Sequence, residues 1–569
     1  MSTCISDEII DRMAGGVKTE LKRTYPFELI SGTRTLECSL LTMGDSYKAG
    51  HFKMYNDAKM MCAYGEFREP MKLASDGGIN DERIVVYGMR YIIEQIISRP
   101  ISAEDVKIAG EFYSKHGVGG TEYEYPKEMF EEIKELGHFP VKIEALPEGS
   151  VVLPHTPVFI ITAEGKFSKF CTFLETVLTM VWYPSCVATL SRHTKTLIEN
   201  AFDKSVDDDM LFLLDSRLHD FGFRGCTCVE QSVIGGSAHL LNFSGSDTMS
   251  ACFHVQYHLN DGKEVGSSIP ATEHSVMTSW TNEIGALTNL IDQYPRKMIA
   301  CVMDSYDYDV ALEKILPAVR ERVVKSGCTL ILRPDSGNPV IQVLKALKAA
   351  VKAGFTCEEN INKKGFYKLK NVAVIQGDGI NYHTVKEILD QVHAAGFSAA
   401  NVAFGMGGGL LQKVNRDTLS FATKLSYIEY DDKVSHGDGK STEPRNVMKD
   451  PKDHPEKRSL PGRMVVMHKK GGFDGHYVFT LGVSELSHIK EHFQNSMKVV
   501  YDCGKLDPDY MHEKFDDFKL RLQKEWKACP SCSRDNFPLD ESILSLQSET
   551  HKKLDAMKIS GIPENFRNS

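Results

Sequence analysis

Between about residues 210 and 415 short apolar runs alternate with charged loops and amphipathic stretches. The clearest runs are 298–303, 329–332, 372–375 and 401–404. They end in Asp304-Ser-Tyr-Asp307, Arg333-Pro-Asp-Ser-Gly-Asn-Pro339, Gln376-Gly-Asp-Gly379 and Gly405-Met-Gly-Gly-Gly-Leu410. Short apolar runs bounded by turn residues read as buried strands. After the second run, Val340, Ile341, Val343, Leu344, Leu347 and Val351 recur at helical spacing. Pro339 suits a first helical position and Gly354 a stop, which predicts a helix between them. Thr384–Ala395 predicts another, with Val385, Ile388, Leu389 and Val392 on one face and Gly396 at its end. Strand, loop and helix in this repeating order imply βα units, in an open doubly wound sheet or a closed barrel. In both, function sits in loops at the C-terminal ends of the strands.

The flanks have other rhythms. Residues 1–30 are polar and aperiodic, as in a loose N-terminal extension. Residues 140–165 alternate and turn like a β-rich unit, and Asp431–Arg445 reads as a charged surface loop. The apolar stretch Thr172–Tyr183 is interrupted by Glu175, so no run reaches the ~18 residues of a membrane span. From Lys527 a cysteine pair and a polar helical pattern suggest an appended tail.

Composition narrows the class. With 42% apolar and 25% charged residues, the 569-residue chain is an ordinary globular protein. Its net charge of −10 argues against general nucleic-acid binding and confines any anionic substrate to a local basic pocket. The acidic start lacks a secretory pattern, and fourteen scattered cysteines fit reduced thiols in a cytoplasmic chain. Cys529-Pro-Ser-Cys532 has a metal-type gap but only Cys503, His512 and His551 as stray further ligands, and reads as a surface turn.

The strand-end loops carry the candidate chemistry. Consecutive glycines at Gly405–Gly409 let backbone N–H groups approach a phosphate, with Lys413 and Arg416 following; the alternative is a flexible turn. Arg333 can grip phosphate in fork geometry and Asp335 can accept ribose hydroxyls, or the two form a local ion pair around a turn. Gly377-Asp378-Gly379 repeats the idea more weakly. In His219-Asp-Phe-Gly-Phe-Arg-Gly225, Phe221 can stack on a flat ring and Arg224 reach phosphate, although Phe221 alone reads as core. His274, after Glu273, is a nucleophile, an acid–base group or a packed histidine. Together these loops describe a site for a phosphorylated ribose and a flat ring.

These motifs occur in one order with Asp45-Ser-Tyr-Lys48, Gly245-Ser-Asp-Thr248 and Gly407-Gly-Gly-Leu-Leu-Gln-Lys413. From about Leu40 to Trp526 that order resembles the nicotinamide phosphoribosyltransferases, type II phosphoribosyltransferases of NAD salvage. The resemblance implies an α/β fold: an irregular α/β barrel over 206–415 and a second α+β, partly β-rich domain from 31–205 and 416–526, with 1–30 and 527–569 outside the pattern. It implies a homodimer with shared sites acting on nicotinamide and phosphoribosyl pyrophosphate, with ATP as co-substrate and Mg²⁺ as cofactor, and no nucleic-acid or membrane partner.

By the same resemblance Phe221 stacks one face of nicotinamide and Tyr47 of the other subunit the opposite face, while Asp247 accepts the carboxamide N–H. Arg333 and Asp335 hold phosphate and ribose, Gly377 and Asp378 line the ribose, and Gly407 and Gly408 bind the 5′-phosphate through the backbone. Arg224 and Arg416 contact phosphates; Arg68, Lys413, Lys424, Lys449 and Lys457 add positive charge. His274 matches a phosphorylated histidine, with Asp304 its polar partner and Asp335 a third catalytic group. No direct Mg²⁺ ligand is singled out. The competing readings are a nicotinate-specific enzyme of the same fold, a sugar-phosphate aldolase or isomerase on a barrel, and a non-catalytic metabolite-binding protein.

Overall fold

The computed structural model describes residues 38–560 except 56, 75–79, 357–359, 431–443, 482–485 and 534–536. The extension 1–30, most of the 431–445 loop and the tail beyond 560 lie outside the described residues.

A seven-stranded antiparallel sheet runs in the order Arg445–Asn446, Ala422–Tyr430, Ala58–Glu66, Pro157–Glu164, Val141–Ala145, Lys498–Asp502 and Lys505–Leu506. Its strands therefore come from both flanks of the chain. The third strand, Ala58–Glu66, is buried at every position but Lys59. Near its end Gly65 is required, because a Cβ there would meet the Phe159 ring at 2.3 Å.

The middle of the chain forms a five-stranded parallel sheet in the order Leu218–Asp220, Val402–Met406, Val372–Gln376, Thr329–Arg333 and Met298–Val302. It does not stay open. Isolated parallel bridges join Asp220 to Ser246, Gly245 to Ser267 and Ala271 to Ala300, which lies in the opposite edge strand. The ring closes through single bridges, giving an irregular barrel instead of a doubly wound sheet. Period-two alternation sorts the residues of these strands. Ile299, Cys301, Leu330, Leu332, Val374 and Phe404 face the large outer core. Ala300, Ile331, Ile375 and Ala403 make a small interior cluster against which Phe221 and Ile269 pack.

Both anticipated helices form. Pro339–Lys352 is capped by Asn338, whose side chain accepts from the Ile341 N–H at 3.1 Å. Its buried face includes Val340, Val343 and Leu347, but Ile341, assigned to that face, is 55% exposed. Tyr382–Ala394 starts two residues before Thr384 because Asn381 caps it, accepting from the N–H groups of His383 and Thr384. The apolar stretch after Thr172 breaks between short helices before the long, largely buried helix Trp182–Ser205. Among the described residues no single helix is long and apolar enough to cross a membrane. The Cys529–Cys532 segment is a bend with Ser531 exposed, as read, but Cys529 itself departs from that reading: it is buried at the end of the helix Phe515–Ala528, and burial pushes its thiol up to about 12.

Candidate active site

The barrel brings five of the predicted loops to one end. Phe221 leaves the strand Leu218–Asp220 with its N–H donating to the Met406 carbonyl at 3.1 Å. Its half-buried ring lies on the glycines of two other strand ends. A Cβ on Gly405 would sit 2.0 Å from the ring, and one on Gly377 would sit 3.1 Å from it. The Arg333 guanidinium stands 5.4 Å from the ring centre, within cation–π range. Arg333 Nη2 also bonds Asp335 Oδ1 at 2.9 Å, so the local ion pair exists; yet each side chain remains about a quarter exposed, at 23% and 24%, and accessible to a ligand.

His274 opens the short helix His274–Thr278 between two carboxylates. Its Nε2 lies 3.2 Å from Asp304 Oδ1 and its Nδ1 3.9 Å from Asp335 Oδ2. Asp304 is the fixed member. Its side chain is 4% exposed and accepts from Ser336 Oγ at 2.6 Å and the Asp335 N–H at 3.0 Å. Burial raises its pKa, but the bonds from Ser336, Asp335 and His274 outweigh burial and hold it below the ordinary value.

Asp247 lies on the other side of the Phe221 loop, its N–H donating to the Asp220 carbonyl at 3.0 Å. His219 Nδ1 is 3.2 Å from Asp247 Oδ2, and Ser268 donates to Oδ1. A carboxylate only accepts, so this His219 nitrogen carries the hydrogen, and each Asp247 oxygen keeps capacity for another donor. Asp220 is buried behind the loop. Desolvation raises its carboxyl to about 6 despite the Gly222 N–H, which donates to it at 2.7 Å.

The glycine loop packs against the same segment. A Cβ on Gly407 would lie 3.2 Å from the Phe221 carbonyl oxygen, and Gln412 donates to the Gly222 carbonyl at 2.9 Å. Gly408 and Lys413 are exposed, as are Arg224 and Asp378 on the facing loops. Arg416 is exposed in the turn Arg416–Thr418, and its carbonyl accepts from the Phe421 N–H. Arg68 approaches that turn, with Nε donating to the Ser420 carbonyl at 3.0 Å. Burial lowers the Lys424 pKa, and the positive charges of Arg68, Lys449 and Lys48 lower it further. The antiparallel pair Tyr427–Asn446 continues through the Val447 N–H, which donates to the Ser426 carbonyl at 2.8 Å, and this register runs Lys449 toward Lys424. With Arg68 and buried Lys48, which pairs with Glu175, they form one basic group.

Two predicted residues stand apart. Lys457 lies in the turn Pro455–Lys457 of the loop after Lys449. Tyr47, on the helix Ser46–Met54, is 53% exposed and has its ring against His51 and Lys48, not Phe221. His219, Ser268, Ser336 and Gln412 orient the site but were not singled out from the sequence. Three of them lie inside or beside the quoted motifs; Ser268 carries no local signal.

Among the described residues no three His, Cys, Asp or Glu side chains converge on a metal site. Mg²⁺ nevertheless fits this donor set, because it keeps waters and combines one or two carboxylates with substrate phosphates. Asp335 and Asp304 are the carboxylates beside His274.

The barrel, its strand-end site and the two-flank sheet define an enzyme of the phosphoribosyltransferase class. Residues 216–504 match the Nicotinate phosphoribosyltransferase (NAPRTase) family, and residues 39–143 match the Nicotinamide phosphoribosyltransferase, N-terminal domain. The nicotinamide phosphoribosyltransferase of Xanthomonas campestris pv. campestris (strain 8004) is 37% identical over 441 residues, covering 76% of this chain and 88% of that one. That of Acinetobacter baylyi is 26% identical over 513 residues, covering 85% and 97%. The chain belongs to the nicotinamide phosphoribosyltransferase family. In fold it is similar to human nicotinic acid phosphoribosyltransferase, with TM-score 0.56, 14% identity and coverage of 89% and 99% of the two chains. The nicotinate-nucleotide pyrophosphorylase of Pyrococcus furiosus gives TM-score 0.52 at 14% identity, with coverage of 86% and 95%.

Proposed function

We propose that this enzyme transfers the 5-phosphoribosyl group of phosphoribosyl pyrophosphate to nicotinamide in NAD salvage. The ring nitrogen forms a bond to ribose C1 as the C1–O bond breaks, releasing nicotinamide mononucleotide and pyrophosphate. The observation that carries the base choice is the Asp247 carboxylate, fixed by His219 and Ser268 beside Phe221. It accepts from a carboxamide N–H and repels the carboxylate of nicotinate.

The protein's contribution is orientation and charge. Phe221 aligns the ring, Asp335 the ribose hydroxyls, and Arg333, Arg224 and Arg416 the phosphates. Gly377 and Asp378 border the ribose, and the backbone at Gly407 and Gly408 receives the 5′-phosphate. Mg²⁺, when bound, neutralises charge on the leaving pyrophosphate. The basic group around Lys424 and Lys449 suits further phosphates, including those of ATP. Tyr47, exposed on its own subunit, is available to close the site of a second copy in a homodimer.

His274 couples the reaction to ATP in this account. With Nε2–H donating to Asp304, the lone pair resides on Nδ1, which takes the γ-phosphoryl group as the P–O bond to ADP breaks. Water later cleaves the N–P bond and releases phosphate.

The test supplies purified enzyme with nicotinamide, phosphoribosyl pyrophosphate and Mg²⁺, with and without ATP. Mononucleotide forms in both cases and more with ATP, and the protein carries an acid-labile, base-stable phosphate. His274→Ala retains weak transferase activity and loses ATPase activity, ATP stimulation and the phosphate. A folded His274→Ala protein that still responds fully to ATP overturns the coupling; failure to form mononucleotide under any of these conditions overturns the transferase reading.

A further inference from the structure

The tail lies beyond both family matches, the later of which ends at residue 504, yet it is built into the fold. The Val478 N–H donates to the Pro538 carbonyl at 3.0 Å and the Asp540 N–H to the Val478 carbonyl at 3.1 Å. The tail thereby adds itself to the edge of the strand Tyr477–Thr480. Asp540 then accepts from the Ser542 N–H at 2.9 Å, where the helix Glu541–Ser560 begins. Ile543 is fully buried, and Leu546 packs so closely on Gly462 that a Cβ there would lie 2.6 Å from it.

Five residues beyond Leu546 the helix reaches the basic loop. His551 Nδ1 bonds Asp450, while Nε2 lies 3.1 Å from Asp555 on the same helix. The Asp450 side chain is only 6% exposed, and its other oxygen accepts from Arg458 Nε at 2.8 Å. Asp450 and Arg458 directly follow Lys449 and Lys457. The loop is closed at its neck, where the Lys449 N–H donates to Ser459 Oγ at 2.8 Å and the Ser459 N–H to the Lys449 carbonyl at 3.0 Å. One carboxylate thus ties the helix and both ends of the lysine-bearing loop together.

We infer that the C-terminal helix braces this loop, and that His551 and Asp450 are positioning residues that hold Lys449 beside Lys424 and Arg68 to receive substrate phosphate. The inference rests on the reading of Lys449 as a phosphate contact. Phosphoribosyl pyrophosphate and ATP share the chemistry that this basic group recognises. Loss of the tie leaves the barrel, Phe221, Asp247 and His274 untouched, so the cost falls on phosphate affinity and not on turnover.

The experiment compares full-length wild type with His551→Ala, His551→Leu, His551→Asn and Lys449→Ala. KM is measured separately for phosphoribosyl pyrophosphate and for ATP, with kcat, the KM for nicotinamide and the thermal midpoint on the same preparations. His551→Ala and His551→Leu raise one or both phosphate KM values at least fivefold, with kcat and the nicotinamide KM within twofold. Whichever KM moves identifies the phosphate source. His551→Asn, which keeps a donor toward Asp450, restores most of the affinity. Phosphate KM values unchanged in both His551→Ala and His551→Leu, with Lys449→Ala impaired, overturn the brace and leave the lysine's role standing. Lys449→Ala with unchanged phosphate KM values overturns that role and the brace with it. A parallel fall in kcat reduces His551 to a structural residue.

Discussion

Gly405 and Phe221 occupy space that only a glycine permits them to share. A Cβ at 405 would lie 2.0 Å from the ring's Cε2 and 2.6 Å from Cζ. The strand end at 405 is therefore the floor on which the Phe221 ring is set.

Gly405→Ala forces the ring off this floor. Overpacking of this kind costs about 1–3 kcal/mol, and each share of about 1.4 kcal/mol that falls on binding raises the nicotinamide KM about tenfold. Gly377→Ala, whose Cβ would stand 3.1 Å from the ring, has a smaller effect. Steady-state kinetics on both variants tests the order; equal KM values at wild-type level refute the placement.

Asp247→Asn keeps the shape and adds an N–H donor that a nicotinate carboxylate can use. Losing the charge-assisted bond costs roughly 1.5–3 kcal/mol for nicotinamide, and discrimination between the two bases falls. The measurement is kcat/KM for each base in the variant, and an unchanged ratio removes Asp247 from base selection.

Burial pushes His193, His239 and His254 each down to about 4. Their folded-state pKa values lie below the unfolded value near 6.5, so the folded protein binds fewer protons in that window. Their stability contribution is complete above about 6.5 and is lost as pH falls toward 4. Burial raises Glu148 to about 7, against the bonds it accepts from the Arg90 and Gly88 N–H groups. That carboxyl works in the opposite sense, its contribution being lost as pH rises through the same range. The denaturation midpoint therefore falls on acidification from pH 6.5 to 4, and falls more steeply in Glu148→Gln. A wild-type midpoint that is flat or rises on acidification contradicts this assignment.

Tyr47 and Arg333 test whether two copies share a site. Tyr47→Ala and Arg333→Ala are each weak alone, but mixed and allowed to exchange subunits they regain part of the activity. One site of the mixed dimer then carries both defects and the other carries neither. Exchange verified by native mass without recovery of activity argues against a shared site.

The sequence was most legible where one local rule governs. Pro339, the apolar spacing after it and Gly354 specify a helix whatever surrounds them, and it forms over Pro339–Lys352. The loops at 333, 377 and 405 announce themselves because Gly, Asp and Arg at strand ends serve poorly as core. Barrel closure was harder to read, since it depends on single bridges at Ser246, Ser267 and Ala271 without an apolar run behind them. Ser268 was invisible for a related reason: a lone serine acquires meaning only when the barrel brings it to Asp247. Cys529 looked like surface because Pro and Ser follow it, but the Phe515–Ala528 helix carries it into the core. The tail gave no chemical signal, because its contacts at Asp450 and Val478 lie 101 and about 60 residues away along the chain.

The proposed reaction condenses nicotinamide, and not nicotinate, with phosphoribosyl pyrophosphate. The direct measurement is wild-type kcat/KM for the two bases under identical phosphoribosyl pyrophosphate, Mg²⁺ and ATP. The proposed placing of the Asp247 carboxylate at the amide position predicts a preference for nicotinamide of at least about a hundredfold, because like-charge juxtaposition with nicotinate costs several kcal/mol. Comparable values for the two bases, or a preference for nicotinate, would contradict the account.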